Sequence, residues 1–143
     1  MTRLCAATAG ILLVLSVTVA VQDAEQFSGR LSVLPVDFAT YRSLSGSGEA
    51  RGALSGRLLE ISGSFEGLSS PATVAHLHQA PRGRRGPVVF TLEVTAARDG
   101  EIGGQLDLDG DQVEALRDGE LYVQIHTENN PEGELRGWLA SVW

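Results

Sequence analysis

From Glu25 onward the chain alternates apolar and polar residues with a period of two, in short runs broken by clusters of Gly, Ser, Pro, Asn and Asp. That period places successive side chains on opposite faces of an extended strand, so the pattern predicts an antiparallel all-β domain. In EQFSGRLSVLP, Phe27, Leu31 and Val33 share one face and predict an opening strand. TYRSLSGSGEARG, rich in Gly and Ser, reads as a loop. ALSGRLLEISGSFEGLS sets Leu54, Leu58 and Ser62 against Leu59, Ile61 and Phe65, the pattern of a long strand pair whose glycines predict bends or bulges. ATVAHLHQA and PVVFTLEVT predict two further strands joined by an Arg/Gly loop, and EIGGQLDL predicts a sixth.

DGDQVEALRDG breaks the alternation. Asp109 and Gln112 have capping-box spacing, Val113 and Leu116 share a helical face, and Gly119 can close the last turn. One short helix near 110–118 is expected. ELYVQIHTENNPEGELRGWLASV then returns to alternation as a final hairpin turning at NNPEG. This set of strands suits an antiparallel β-sandwich of Greek-key, immunoglobulin-like or superoxide-dismutase-like architecture.

The segment ahead of the strands changes the picture of where the domain works. Arg3 is followed by an uncharged run from Leu4 to Gln22, with small residues flanking Ala20. This predicts a signal peptide over 1–20, a short linker over 21–26 and a domain over 27–143, secreted or periplasmic. About twenty apolar residues can also span a bilayer, so an uncleaved leader would tether the domain to a membrane. Thr8, Gly10, Ser16 and Thr18 dilute the run and favour the cleaved form. The single cysteine, Cys5, falls within the leader, so the exported part has no disulfide and no thiolate ligand. With 11 basic against 18 acidic residues, and a net charge of −7, nucleic acid and anionic membranes are disfavoured as partners.

Candidate chemistry centres on the three histidines. His76 and His78 alternate on one strand, so their rings share a face, with Cα atoms roughly 6.5–7 Å apart. In LYVQIHT, Leu121, Val123 and Ile125 would face the core and leave Tyr122, Gln124 and His126 on the other face. Three neutral imidazoles suffice for a copper or zinc ion, with water, Glu128 or a substrate in the fourth position. That site requires the two strands to be neighbours. The alternative is a non-catalytic module that binds an extracellular protein. Its histidines would order the domain through Tyr122, Glu128, Asn130 or Arg136, and Arg136, on one face with Glu134 and Trp138, would bond a carboxylate near His126.

Other motifs carry less. Asp107, Asp109 and Asp111 alternate as in a calcium loop, but Gln112 stands where Gly is needed and Asp118 where Glu is wanted, and helix capping explains them. Arg82, Arg84 and Arg85 could grip a carboxylate or phosphate but read first as a solvated loop, and Glu132 and Glu134 as solvated turn residues. No G-x-S-x-G elbow or P-loop occurs, and no cysteine nucleophile lies outside the leader, so an enzyme is the less expected outcome.

AHLHQAPRGRRGPVV and GELYVQIHTENNPEGELRGWL together resemble the chordin-type (CHRD) domain found in extracellular chordin and in exported bacterial proteins. The matching features are Ala75 to His78 as A-H-[IL]-H, Gly86 to Val89 as G-P-V-V, and Leu121 to Gly137 as the family's [LV]-Y-V-x-[IV]-H-T-x-x-N-P-x-G-E-[IL]-R-G ending. The resemblance runs from about Phe27 to Leu139 and implies a single-domain exported protein of the bacterial type, with the family's histidines at His76, His78 and His126. Gln79, Ala80 and Arg85 depart from the usual loop pattern. A looser likeness to copper–zinc superoxide dismutase rests on the His-x-His strand. That enzyme needs more histidines and a disulfide, so dismutase activity is not expected.

Overall fold

The computed structural model describes residues 23–34, 38–39 and 41–142; the expected signal peptide lies outside them. In chain order the elements are β1 (Glu25–Val33), β2 (Ser47–Ser55), β3 (Leu58–Glu66), β4 (Ala72–Gln79), β5 (Val88–Val94), β6 (Gly100–Asp107), α1 (Gly110–Arg117), β7 (Leu121–Thr127), β8 (Leu135–Trp138) and β9 (Ala140–Ser141). β1 starts at Glu25, two residues before the expected start of the domain.

The fold is all-β and antiparallel, with one short helix, but it is a barrel and not a sandwich. The strands form a closed ring in the order β1-β2-β3-β6-β5-β4-β7-β8, with β8 returning to β1 and β9 added alongside β1. Two strands change partner partway along and so join what would otherwise be separate sheets. β1 pairs with β2 from Glu25 to Leu31, then with β8 through Ser32 and Val33. β5 pairs with β4 up to Leu92, then with β6 through Glu93 and Val94. Glycine makes the β1–β8 seam possible. A Cβ on Gly29 would lie 2.5 Å from the Trp138 carbonyl oxygen, and one on Gly137 would overlap the Arg30 carbonyl. Because β1 turns toward β8 at its end, Val33 is exposed rather than sharing the buried face of Phe27 and Leu31.

The expected loop over 40–52 is in its second half a strand, since β2 begins at Ser47. Its inward positions are Gly48, Ala50 and Gly52, too small to register as a hydrophobic stripe. A Cβ on Gly52 would already lie 3.1 Å from the Leu59 side chain. The turn at Gly56 and Arg57, with Gly56 at φ +63°, is a two-residue hairpin connection that pairs Ser55 with Leu58. This pairing sets Leu54 opposite Leu59, inward with Ile61 and Phe65, and leaves Leu58 49% exposed.

The helix forms as its capping box predicts. Asp109 accepts from the Gln112 amide at 2.8 Å, and the Gln112 side chain accepts from the Asp109 amide at 3.0 Å. Val113, Ala115 and Leu116 are buried beneath it. The barrel interior is filled by Leu31, Leu59, Leu77, Leu121, Val123, Ile125 and Leu135, all fully buried. Each such side chain contributes roughly 1.5–3 kcal/mol of hydrophobic stabilisation.

Candidate functional site

β4 and β7 are neighbours, as the three-histidine arrangement requires. Their register pairs His78 with Tyr122, His76 with Gln124 and Val74 with His126. Ala75 and Leu77 on one strand, and Val123 and Ile125 on the other, point into the core. The alternate set, His76, His78, Tyr122, Gln124 and His126, therefore lies on the outer face of the barrel wall, with His126 diagonal to His76. Two loops fold over this face, 80–87 after β4 and 128–134 after β7. Under them His78 is only 7% exposed, Gln124 and Tyr122 are buried, and His76 and His126 are half-buried.

The loops also fix the imidazole protons. His78 Nδ1 donates to the Gly86 carbonyl at 2.9 Å, and His126 Nδ1 donates to the Pro131 carbonyl at 2.8 Å. A carbonyl can only accept, so in both neutral rings the proton sits on Nδ1 and the lone pair on Nε2. His126 Nε2 lies 3.2 Å from His76 Nδ1. His78 Nε2 is buried with no hydrogen-bond partner, the only such side-chain atom among the described residues. One nitrogen from each ring belongs to a set lying within 4.8 Å of one another. His78 stacks on Tyr122, with centroids 4.7 Å apart and planes 5° apart. The Tyr122 hydroxyl accepts from the Gly86 amide at 3.1 Å, so the backbone of one residue, through the peptide groups on its two sides, holds both rings of the stack. Any Cβ at Gly86 would overlap the Gln79 carbonyl.

Burial pushes the His76 and His78 imidazoles below their ordinary value, and the positive forms of the neighbouring histidines add to this. At His78 the Gly86 carbonyl opposes the shift without reversing it, while Arg136 reinforces it. Both rings are thus neutral near pH 7, as metal ligands must be.

The other expected site residues are placed differently. Glu128 is exposed and is not among the converging ligand atoms. The histidines bond to backbone carbonyls and to one another rather than to Tyr122, Glu128, Asn130 or Arg136 side chains. Among the described residues Arg136 bonds no carboxylate; it lies over the rings of Tyr122 and Trp138, at 5.5 and 5.2 Å from their centroids.

Glu134 is not a solvated turn residue. It is fully buried at the barrel mouth, apart from the histidines. Its carboxylate accepts from the amides of Ser45 and Ser69 at 2.9 Å each, from Ser69 Oγ at 2.9 Å, from Thr127 Oγ1 at 2.6 Å and from Asn130 Nδ2 at 3.2 Å. Burial alone would raise its pKa, but the Thr127, Ser69 and Ser45 hydrogen bonds outweigh burial and hold the carboxyl below the usual range.

Residue alternation overlooked the carbonyls of Gly86 and Pro131, which set the tautomers. The turn-forming Gly86-Pro87 and Asn130-Pro131 steps were the available signals that the backbone folds back at these points.

These features define a class: a closed antiparallel barrel bearing a histidine triad on its outer wall. The family model described as the CHRD domain matches residues 33–139, and the chain belongs to the CHRD domain family. Neither the curated proteins nor the solved structures include a match to it.

Proposed function

We propose that this CHRD domain is exported and binds a transition-metal ion, copper or zinc, through His76 Nδ1, His78 Nε2 and His126 Nε2, for sequestration rather than catalysis. The observation that carries this reading is the orphaned His78 Nε2. A buried acceptor without a partner costs about 1–3 kcal/mol, and a cation bound there would remove that cost. The 3.2 Å between His76 Nδ1 and His126 Nε2 is near the spacing of two ligands each about 2.0–2.1 Å from a tetrahedral ion. The Gly86 and Pro131 carbonyls supply the outer hydrogen bonds that ligating histidines commonly make. An all-nitrogen donor set suits copper or zinc and does not suit calcium or magnesium, which prefer oxygen.

Titration of chelator-treated protein with Cu(II) or Zn(II) tests this. Metal at about one hundred times its Kd should stabilise the fold by about 2.7 kcal/mol, and the gain should vanish in the His76→Ala, His78→Ala, His126→Ala triple variant. Equal affinity in that variant would remove the proposal.

A second reading, a protein-interaction module with structural histidines, draws support from the same bonds, because they tie down loops 80–87 and 128–134 without any ion. It predicts that the histidine substitutions cost the same stability with and without chelator.

A further inference from the structure

Arg136 is 8% exposed, yet it has neither a hydrogen bond nor an ion pair to an acceptor among the described residues. Three exposed arginines are paired with carboxylates, and the other exposed ones are solvated and need no partner. Arg51 pairs with Glu49, Arg57 with Asp107, and Arg117 with both Glu25 and Glu114. In a chain with 18 acidic and 11 basic residues, a nearly buried guanidinium without a carboxylate needs a physical reason, because burying an uncompensated charge is costly.

The geometry around it is that of a held fork. Tyr122 and Trp138 lie against the guanidinium at 5.5 and 5.2 Å, and the two rings contact each other with centroids 4.8 Å apart. Trp138 Nε1 is itself fixed by the Ala80 carbonyl at 3.0 Å. His78 Nε2 is the only fully buried side-chain atom without a partner among the described residues, so the unpaired N–H groups of Arg136 still reach solvent. Loop 80–87 brings further positive charge to the same place. Arg85 directly precedes Gly86, whose carbonyl bonds His78 and whose amide bonds Tyr122.

We propose that Arg136, with Arg85 beside it, forms a binding site for a small oxyanion, presenting the two-oxygen edge of a carboxylate or phosphate to the guanidinium fork. Aromatic contacts orient the planar cation and leave its donor edge free, which is the arrangement that bidentate recognition requires. Burial, and less so the charge of Arg85, act against the protonated form of Arg136, and the opposing effect of Tyr122 does not cancel them; a bound anion would relieve both. The site needs no metal, although Tyr122 touches both the Arg136 cation and His78.

The test uses the full chain in chelator, titrated separately with inorganic phosphate and with acetate at constant ionic strength. The readouts are the Arg136 Nε–H resonance and tryptophan fluorescence. The Arg136 signal should shift saturably with at least one of the two anions, and the stronger ligand tells a phosphate site from a carboxylate site. Arg136→Lys keeps the charge but loses the fork, and should weaken binding about tenfold or more. Arg85→Ser, on an exposed loop, should weaken it about threefold without disturbing the fold, and so keeps the test decisive if the lysine variant is unstable. Saturable anion binding in chelator, where no metal ion is free, separates this site from the metal proposal. The inference is overturned if neither anion shifts Arg136 beyond a chloride control. It is equally overturned if Arg84→Ser abolishes binding while Arg136→Lys and Arg85→Ser leave it intact.

Discussion

The barrel mouth at Glu134 and the outer wall at the histidines are both polar clusters in buried surroundings, and the 128–134 loop serves both. They differ in how fully their hydrogen bonds are made. Glu134 is completely enclosed and receives five hydrogen bonds from the chain itself. The histidine cluster leaves a buried nitrogen unpaired and joins two others only by an imidazole–imidazole contact at 3.2 Å. A buried polar group that the protein satisfies in full acts as a structural tie. One left partly unsatisfied has capacity for something from outside.

The contrast is broken most directly at Glu134. Glu134→Ala strands the Ser45 and Ser69 amides and should cost about 3 kcal/mol or more in urea unfolding. His76→Ala, measured in chelator, should cost about 1 kcal/mol or less, since that ring is half-buried and its main partner is another imidazole. Equal losses at the two positions would erase the distinction.

Acid titration of the metal-free protein should separate the two regions along the pH axis, with smaller losses. The native His76 and His78 bind protons less readily than in the unfolded chain. Their contribution is therefore complete above the ordinary imidazole value of about 6.5 and is lost as pH falls below it. Glu134 is also depressed, so its contribution is complete above about 4.3 and disappears only as pH falls further, through its lower native value. Urea midpoints between pH 8 and 3 should show two descending limbs, and the histidine triple variant should lack the upper one. The smallest effect is expected at Glu128. Glu128→Gln should leave stability within about 0.5 kcal/mol and metal affinity unchanged, and a marked loss of affinity would bring that carboxylate into the ligand set.

Much of this arrangement was legible in the chain because strand alternation is a local property. It placed His76 with His78, and Tyr122, Gln124 and His126 on one face, and the Asp109–Gln112 spacing located the helix. Features set by distant pairing were not legible. Closure of the ring depends on where β1 and β5 exchange partners, and the close approach at the β1–β8 seam is permitted by the absence of side chains at Gly29 and Gly137. The first part of β2, Ser47–Gly52, escaped notice because Gly48, Ala50 and Gly52 fill its inward row; Leu59 and Ile61 crowd the position at Gly52, and the Ser64 carbonyl and Phe65 crowd the one at Gly48. Glu134 looked solvated because its turn sequence is polar. Its burial comes from Ser45 and Ser69, far away along the chain, closing over it.

Ring closure covers most of the backbone rim, and the two-residue β9 covers part of β1. The exception among the described residues is the β5–β6 seam, where only Glu93 and Val94 pair with β6, so that Val88–Leu92 and Gly104–Asp107 are each paired on one side alone. Addition of a peptide as an extra strand is confined to that seam, and elsewhere on the wall a partner meets side chains and loop tips.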